Sequence, residues 1–155
     1  MSIEELESFT VKGVSQSLLH ACDLNDIEAL KDIHRAYPDL LNEHCVLVAP
    51  PNRSRIEHKI PTLPVLNVRA LSAEALDVLD WLSQFPGYPY PNILVLVDLV
   101  NYNSLASLRW LERKYPQMDK GDWASIATRA DLSLMRYPTR VWLRAKCGDY
   151  WIAPL

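Results

Sequence analysis

Apolar residues recur at intervals of three and four along most of this chain, which is the spacing of amphipathic α-helices. Leu18, Leu19 and Cys22 form one such stripe, and Leu76, Leu79, Leu82 and Phe85 form a longer one. The chain has only four glycines and many Leu, Ala and Glu residues, which favours helix over sheet. We therefore predict a mainly all-α fold, with helices at 2–12, 15–24, 25–37, from about 65, 75–85, 93–102, 105–115, 123–135 and 139–147.

Capping residues and breakers mark where these helices are expected to start and stop. Ser2 with Glu5, and Asn25 with Glu28, have the spacing of a capping box. Gly13 is expected to end the first helix, so that residues 1–13 form an N-terminal cap helix. The other predicted start positions are Ser72, Ser104, Asp122 and Pro138.

Residues 43–64 lack a helical period. The segment contains four prolines and a basic run formed by Arg53, Arg55, His58 and Lys59. Proline interrupts both helices and sheets, so we predict an irregular insertion, either a loop or a short hairpin. The last residues, 149–155, are apolar enough that we expect this tail to dock on the rest of the protein.

A repeat appears when the predicted helices are paired. The second helix of each pair reads IEALKDI from Ile27, LDVLDWL from Leu76, LASLRWL from Leu105 and, more weakly, YPTRVWL from Tyr137. The intervals between these starts are 49, 29 and 32 residues, and the first would include the insertion. Trp81, Trp110 and Trp142 share one register, which favours stacking between helix pairs over an aromatic groove.

The stretch LLHACDLNDIEALKDI from Leu18, followed by PDLLN from Pro38, resembles an ankyrin repeat. That resemblance implies a single domain over 1–155, an α-solenoid of about three to four degenerate helix pairs carrying the 43–64 insertion. The TPLH-type opening and the glycine turn of the family are missing, and Asn25, Ser72, Asn103 and Tyr137 stand where small turn residues are needed. Another helical solenoid and a non-repeating bundle stay open as alternatives.

An ankyrin-like array implies a concave face and projecting turns that hold another protein. We therefore predict a non-enzymatic interaction module or adaptor, without a cofactor. The predicted contact residues are Asn101 and Tyr102 at a turn, Tyr88 and Tyr90 in a rigid connector, and the basic residues of the insertion. A homodimer formed through the apolar tail or an uncapped end helix is an alternative.

The composition of the chain indicates the cellular compartment in which we expect the protein. Three cysteines at wide spacing do not suit a disulfide framework, and no apolar run reaches the length of a membrane span. The acidic N-terminus differs from a signal peptide. We expect a cytoplasmic protein, or a nuclear one. Residues 1–100 hold 7 Lys/Arg against 14 Asp/Glu, whereas residues 101–155 hold 9 against 5, so the charge is dipolar.

Two chemical alternatives compete with the adaptor hypothesis. A zinc site or a cysteine nucleophile could draw on the polar residues near the N-terminus, although no spacing matches a known motif. Those residues are His20, Cys22, His34, His44 and Cys45. A basic row could bind nucleic acid, although nucleic-acid-binding domains are usually basic and this chain has an isoelectric point near 5.8. That row consists of Arg129, Arg136, Arg140, Arg144 and Lys146.

Overall fold

A computed structural model of the protein describes residues 3–38, 41 and 62–151, and for residues 3–12 it describes the backbone alone. Within these residues the chain forms eight α-helices and no strand, which confirms the all-α prediction. The basic run of the insertion, Arg53 to Lys59, lies outside the described residues, as do Ser2 and residues 152–155. The chain divides into two compact units, Met1–Pro89 and Tyr90–Leu155.

The described residues of the first unit form two helical hairpins. Its helices are α1 Ile3–Asp23, α2 Ile27–Ala36, α3 Leu63–Ser72 and α4 Leu76–Leu82. Consecutive helices pack as pairs, α1 with α2 and α3 with α4. The pairs stack in parallel, because α1 also packs on α3 and α2 on α4.

The second unit also contains four helices. They are α5 Ile93–Asn101, α6 Leu105–Lys114, α7 Lys120–Arg129 and α8 Tyr137–Cys147. Here α5 packs on both α6 and α7, and α7 packs on α8. Trp123 is the central aromatic of this unit: it is 2% exposed and meets the Trp142 ring edge-on, with centroids 5.1 Å apart.

One turn geometry recurs three times. Asn25, Glu74 and Asn103 adopt positive φ angles of 54°, 54° and 58°, each two residues after one helix ends and two before the next begins. In each turn the following backbone N–H donates to the carbonyl five residues earlier, at 2.8, 2.9 and 2.9 Å. This pattern is a Schellman closure with a left-handed residue after the helix. The turns lie 49 and 29 residues apart, which are the intervals of the sequence repeat.

The core follows the same register. Leu30, Leu79 and Leu108 occupy equivalent positions of α2, α4 and α6, and they are 1%, 0% and 0% exposed. In α8 the equivalent residue is Arg140, which is half-buried. The pair formed by α7 and α8 therefore departs from the pattern. An array running through the whole chain stays a prediction.

Two of the three tryptophans lie in the core, as predicted, whereas stacking between repeated helix pairs stays a prediction. Trp110 and Trp142 are buried, at 6% and 8% exposure. Trp81 is half-buried and packs edge-on against the rings of His34 and Phe85, at centroid distances of 5.6 and 4.7 Å.

The predicted break at Gly13 is wrong, because α1 runs through it from Ile3 to Asp23. A single glycine inside a helix costs only about 1 kcal/mol relative to alanine, and no proline adds to it. A side chain at Gly13 would meet nothing within 4 Å, so close packing does not require glycine there. Residues 3–13 are therefore the first part of α1 and not a separate cap helix.

Several predicted helix starts are displaced. Asp26, not Asn25, caps α2, and its Oδ1 accepts from the Ala29 N–H at 3.1 Å. Ser72 is the last residue of α3, and Ala75 precedes α4. The second left-handed turn residue is consequently Glu74. Asp119 and Asp122 form a reciprocal capping box at α7, which begins earlier than predicted. Ser104 and Pro138 stand at their predicted positions.

Tyr137, the fourth predicted turn residue, begins α8 rather than forming a tight turn. Residues 130–136 join α7 to α8 and include a 3₁₀ turn, Leu132–Leu134. Asp131 caps that turn through bonds to the Ser133 N–H and hydroxyl, at 2.9 and 2.6 Å.

Candidate functional site: a groove between the first helices of two pairs

An apolar groove of about 830 Å³ lies between α1 and α3. We name this feature, formed around Leu19, Val65, Val68 and Ala73, the first-helix groove. Val65 and Val68 are 49% and 42% exposed, although both are large apolar side chains. A concave apolar surface of this kind is typical of a binding site.

The groove follows from two apolar stripes on α3. Leu63, Leu66 and Ala70 point into the core and are 3%, 0% and 0% exposed. Val65 and Val68 are three residues apart and lie on another side of the same helix, so they cannot join that core. An amphipathic surface helix would carry polar residues at these positions.

An ion pair fixes one edge of the groove. The Arg69 guanidinium donates to both carboxylate oxygens of Asp23, from Nε to Oδ1 at 2.5 Å and from Nη2 to Oδ2 at 2.8 Å. This hydrogen bonding and the positive charge of Arg69 lower the pKa of the Asp23 carboxyl. The planar two-point contact ties the end of α1 to the last turn of α3 and so sets their spacing.

The turns beside the groove form an acidic edge, which consists of Asp26, Glu74 and Asp77, all exposed. Asn25 joins the two turns: its Oδ1 accepts from the Val78 N–H at 3.1 Å, and its Nδ2 donates to Asp77 Oδ2 at 3.2 Å. The left-handed backbone of Asn25 positions its side chain for both contacts. The predicted role of Asn25 as a turn former is confirmed.

The two connector tyrosines have different environments. The Tyr88 hydroxyl donates to Oδ1 of Asn67 at 2.5 Å, and Asn67 is only 6% exposed. Tyr88 therefore satisfies a buried amide of α3, which is a structural role. Tyr90 is 60% exposed and meets the Tyr115 ring edge-on at 5.0 Å. Partner contact by either residue stays a prediction.

The predicted turn residues of the second unit also differ from one another in exposure and in hydrogen bonding. Tyr102 is 77% exposed, as a contact residue should be. Asn101 Oδ1 accepts from the Asp131 N–H at 2.8 Å, and Asn103 bonds to the backbone of Leu134 and Arg136. These asparagines bind neighbouring turns, whereas Tyr102 projects from its own.

The cysteines in the described part of the chain do not suit nucleophilic chemistry. Cys22 and Cys147 are both 0% exposed. Burial raises the pKa of the Cys22 thiol to about 11, and it also raises that of Cys147. A nucleophile must be an accessible thiolate near neutral pH, and these thiols are neither accessible nor ionised.

The zinc alternative finds little support in the side chains that the structure describes. Among them, no group of three or more His, Cys, Asp or Glu residues is arranged to hold a metal ion. His34 is in contact with the rings of Trp81 and Phe85. His44 and Cys45 lie outside the described residues.

The basic row does not form one exposed surface. Arg140 is half-buried, and its Nη2 donates to the Leu132 carbonyl oxygen. Lys146 is engaged with Glu112, which also accepts a hydrogen bond from Trp142 Nε1 at 3.3 Å. Arg136 is the residue directly before α8, at the N-terminus of that helix. Arg129 and Arg144 are exposed.

Sequence reasoning missed the residues that make the groove. Val65 and Val68 were visible as a second apolar stripe on α3, and this signal could have found them. The contact between Asp23 and Arg69 joins residues 46 positions apart, so it depends on how the helix pairs stack.

None of the helices in the described ranges combines the length and apolar character needed for a membrane span. No protein-family model, no curated protein and no solved structure matches this chain. The resemblance to ankyrin repeats thus stays a prediction.

Proposed function

We propose that the protein is a non-enzymatic interaction module that binds a protein partner through the first helices of its stacked pairs. The observation that supports this most is the first-helix groove, with Val65 and Val68 exposed on its floor. In an ankyrin-like array, the first helices line the concave face. The groove therefore lies on the face that the resemblance selects for partner binding.

The energetics favour a partner over solvent at this surface. Fully burying an exposed valine contributes about 1.5 kcal/mol, and each of the two valines has roughly half of its surface left to bury. Covering both valines therefore contributes on the order of 1–2 kcal/mol before polar contacts are counted. That amount cannot hold a complex alone, but it is enough to make this groove an anchor among other contacts.

The groove is also preorganised. Its walls rest on side chains that are almost fully buried, such as Leu66 and Leu18. The Asp23–Arg69 pair and the Asn25 bonds link the elements on either side. A surface that is already ordered loses little entropy when a partner binds, so more of the contact energy contributes to affinity.

A comparison of two matched valine variants tests this proposal. Val68 in the groove and Val141 in α8 are both 42% exposed, so Val68→Gln and Val141→Gln make the same chemical change at equally accessible helical sites. Circular dichroism should show native helix content for both. Proteins captured from the native cell extract by each variant would then be quantified against the wild type by mass spectrometry.

We expect Val68→Gln to lose specific partners that Val141→Gln retains. Identical sets for the wild type and Val68→Gln would contradict the proposal, because a polar side chain on the groove floor would then have no effect on recognition.

A further inference from the structure

The first unit has an excess of negative charge around the groove. Over residues 1–89 the chain holds 7 Lys/Arg against 13 Asp/Glu. Within the side chains of this unit that the structure describes, three cations accompany seven carboxylates. Each of these cations already lies within ion-pair distance of a carboxylate: Lys31 with Glu28, Arg35 with Asp32, and Arg69 with Asp23.

This charge lies at one end of the groove. Ala73 lines the groove, and Glu74 follows it directly in the chain. Asp23 lines the groove from the other side, and Asp26 follows three residues later in the same turn. Asp77 is held beside this turn by its bond to Asn25. The acidic edge therefore belongs to the turns that follow the groove-lining residues Asp23 and Ala73 in the chain.

The helix ends add little net charge at this edge. Helix α1 ends at Asp23 and α3 ends at Ser72, but α2 and α4 begin in the same two turns. The partial negative charge of a helix C-terminus and the partial positive charge of a helix N-terminus are similar in size, so they largely offset one another there. The negative charge therefore comes from the carboxylates.

We infer that the partner presents a cationic amphipathic segment to this groove. Its apolar side packs against Val65 and Val68, and its Lys or Arg side chains meet Asp26 and Asp77. From Val65 to Ala73 the helix rises about 12 Å, so roughly two turns of a partner helix cover the floor. This inference rests on the proposed function, and it adds the chemistry of the partner.

Three designed peptides test this directly. They share one leucine-rich helical face and differ only on the opposite face, which carries lysine, glutamine or glutamate. A fourth peptide has the composition of the lysine peptide in scrambled order, which removes the apolar face. Dissociation constants would be measured by fluorescence polarisation on the full chain, at low and at high salt.

Conservative variants identify the residues responsible. In Asp26→Asn/Asp77→Asn the charges disappear, while Asn retains the ability to cap α2 and to accept the bond from Asn25. Val68→Gln changes the floor without changing charge, and Val141→Gln is its control.

We expect the lysine peptide to bind about tenfold more tightly than the glutamate peptide at low salt, from two exposed charge contacts. This preference should shrink at high salt and in Asp26→Asn/Asp77→Asn. The scrambled peptide should bind weakly, and Val68→Gln should weaken all three amphipathic peptides.

The possible failures are distinguishable. Equal affinity for the three amphipathic peptides, tighter binding of the glutamate peptide, or no binding of the lysine peptide would overturn the cationic partner. If Val68→Gln bound all peptides as the wild type does, or the scrambled peptide bound as well as the ordered one, the groove itself would be refuted as the docking site.

Discussion

Asn103 combines a left-handed backbone with two side-chain hydrogen bonds, and two substitutions separate these contributions to stability. Its φ angle is 58°, its Oδ1 accepts from the Arg136 N–H at 2.6 Å, and its Nδ2 donates to the Leu134 carbonyl at 2.9 Å. Asn103→Gly removes both bonds but suits the backbone. Asn103→Ala removes both bonds and places a Cβ in the left-handed region.

The expected losses follow from these contacts. Each hydrogen bond contributes about 1 kcal/mol net, so the glycine variant should lose about 2 kcal/mol of unfolding free energy. The left-handed backbone costs alanine a further 1–2 kcal/mol or so, and the greater flexibility of glycine when unfolded offsets about half of that difference. Alanine should therefore be less stable than glycine by about 0.5–1 kcal/mol, the reverse of their order in a helix interior.

Urea unfolding followed by far-UV circular dichroism measures both variants. Glu74→Gly serves as the comparison, because Glu74 has a φ angle of 54° without the asparagine side chain that tolerates it. That variant should lose less unfolding free energy than Asn103→Gly, because relief of the left-handed backbone contributes up to about 1 kcal/mol. The account of this turn would be refuted if Asn103→Ala and Asn103→Gly had the same unfolding free energy. It would also be refuted if both variants were as stable as the wild type.

Three further predictions follow from the core and the groove. Leu79→Ala should lower the unfolding free energy by about 3 kcal/mol, because the side chain is 0% exposed, whereas Val141→Ala should change it by under about 0.5 kcal/mol in the same urea experiment. Equal losses would contradict the assigned register. The Cys22 thiol keeps its proton to about pH 11 when folded, against an ordinary pKa of 9.0, so the unfolding free energy should fall as pH rises from about 9 to about 11. Cys22→Ala should remove that part of the decline, and an unchanged pH profile would argue against burial of the thiol. Arg69→Gln should raise the pKa of the Asp23 carboxyl from its depressed value towards 3.8, as followed by carboxyl NMR titration. In the wild type the Asp23–Arg69 pair therefore stabilises the folded state above about pH 3.8. This stabilisation is lost as the pH falls through the depressed pKa of folded Asp23. An Asp23 pKa that is the same in both proteins would show that the pair does not form.

Helix positions and their register were predictable because they depend on spacing within short segments. The equivalent leucines at 30, 79 and 108 occur at the fourth position of each repeated segment, and all three are buried. Few residues other than asparagine and glycine tolerate the left-handed region, so Asn25 and Asn103 could be identified as turn residues.

Helix boundaries were less predictable where tertiary packing overrides local preference. Glycine favours an end at residue 13, but α1 continues through it. Glutamate does not favour a left-handed turn, yet Glu74 adopts one because the pairing of α3 with α4 needs it at that position. Ser72 had the better sequence signal for a helix start, but the helix that precedes the turn extends over it.

The candidate site was harder still to predict, since it depends on which helices become neighbours. Tyr88 looked like an exposed anchor, and its hydroxyl instead satisfies Asn67. The groove requires α1 and α3 to lie side by side. Along the sequence, however, the 43–64 segment separates the two helix pairs to which they belong. Stacking of pairs, rather than any local motif, brings its residues together.

Site-specific photo-crosslinking tests most directly whether the first-helix groove is the binding face. A photoreactive amino acid would replace Val68 in one protein and Val141 in another, two positions of equal exposure. After irradiation in the native cell extract, crosslinked products would be identified by mass spectrometry. The account predicts a specific partner crosslinked at Val68, through a segment with an apolar face and adjacent Lys or Arg, and not at Val141. A partner crosslinked at Val141 and absent at Val68 would contradict it.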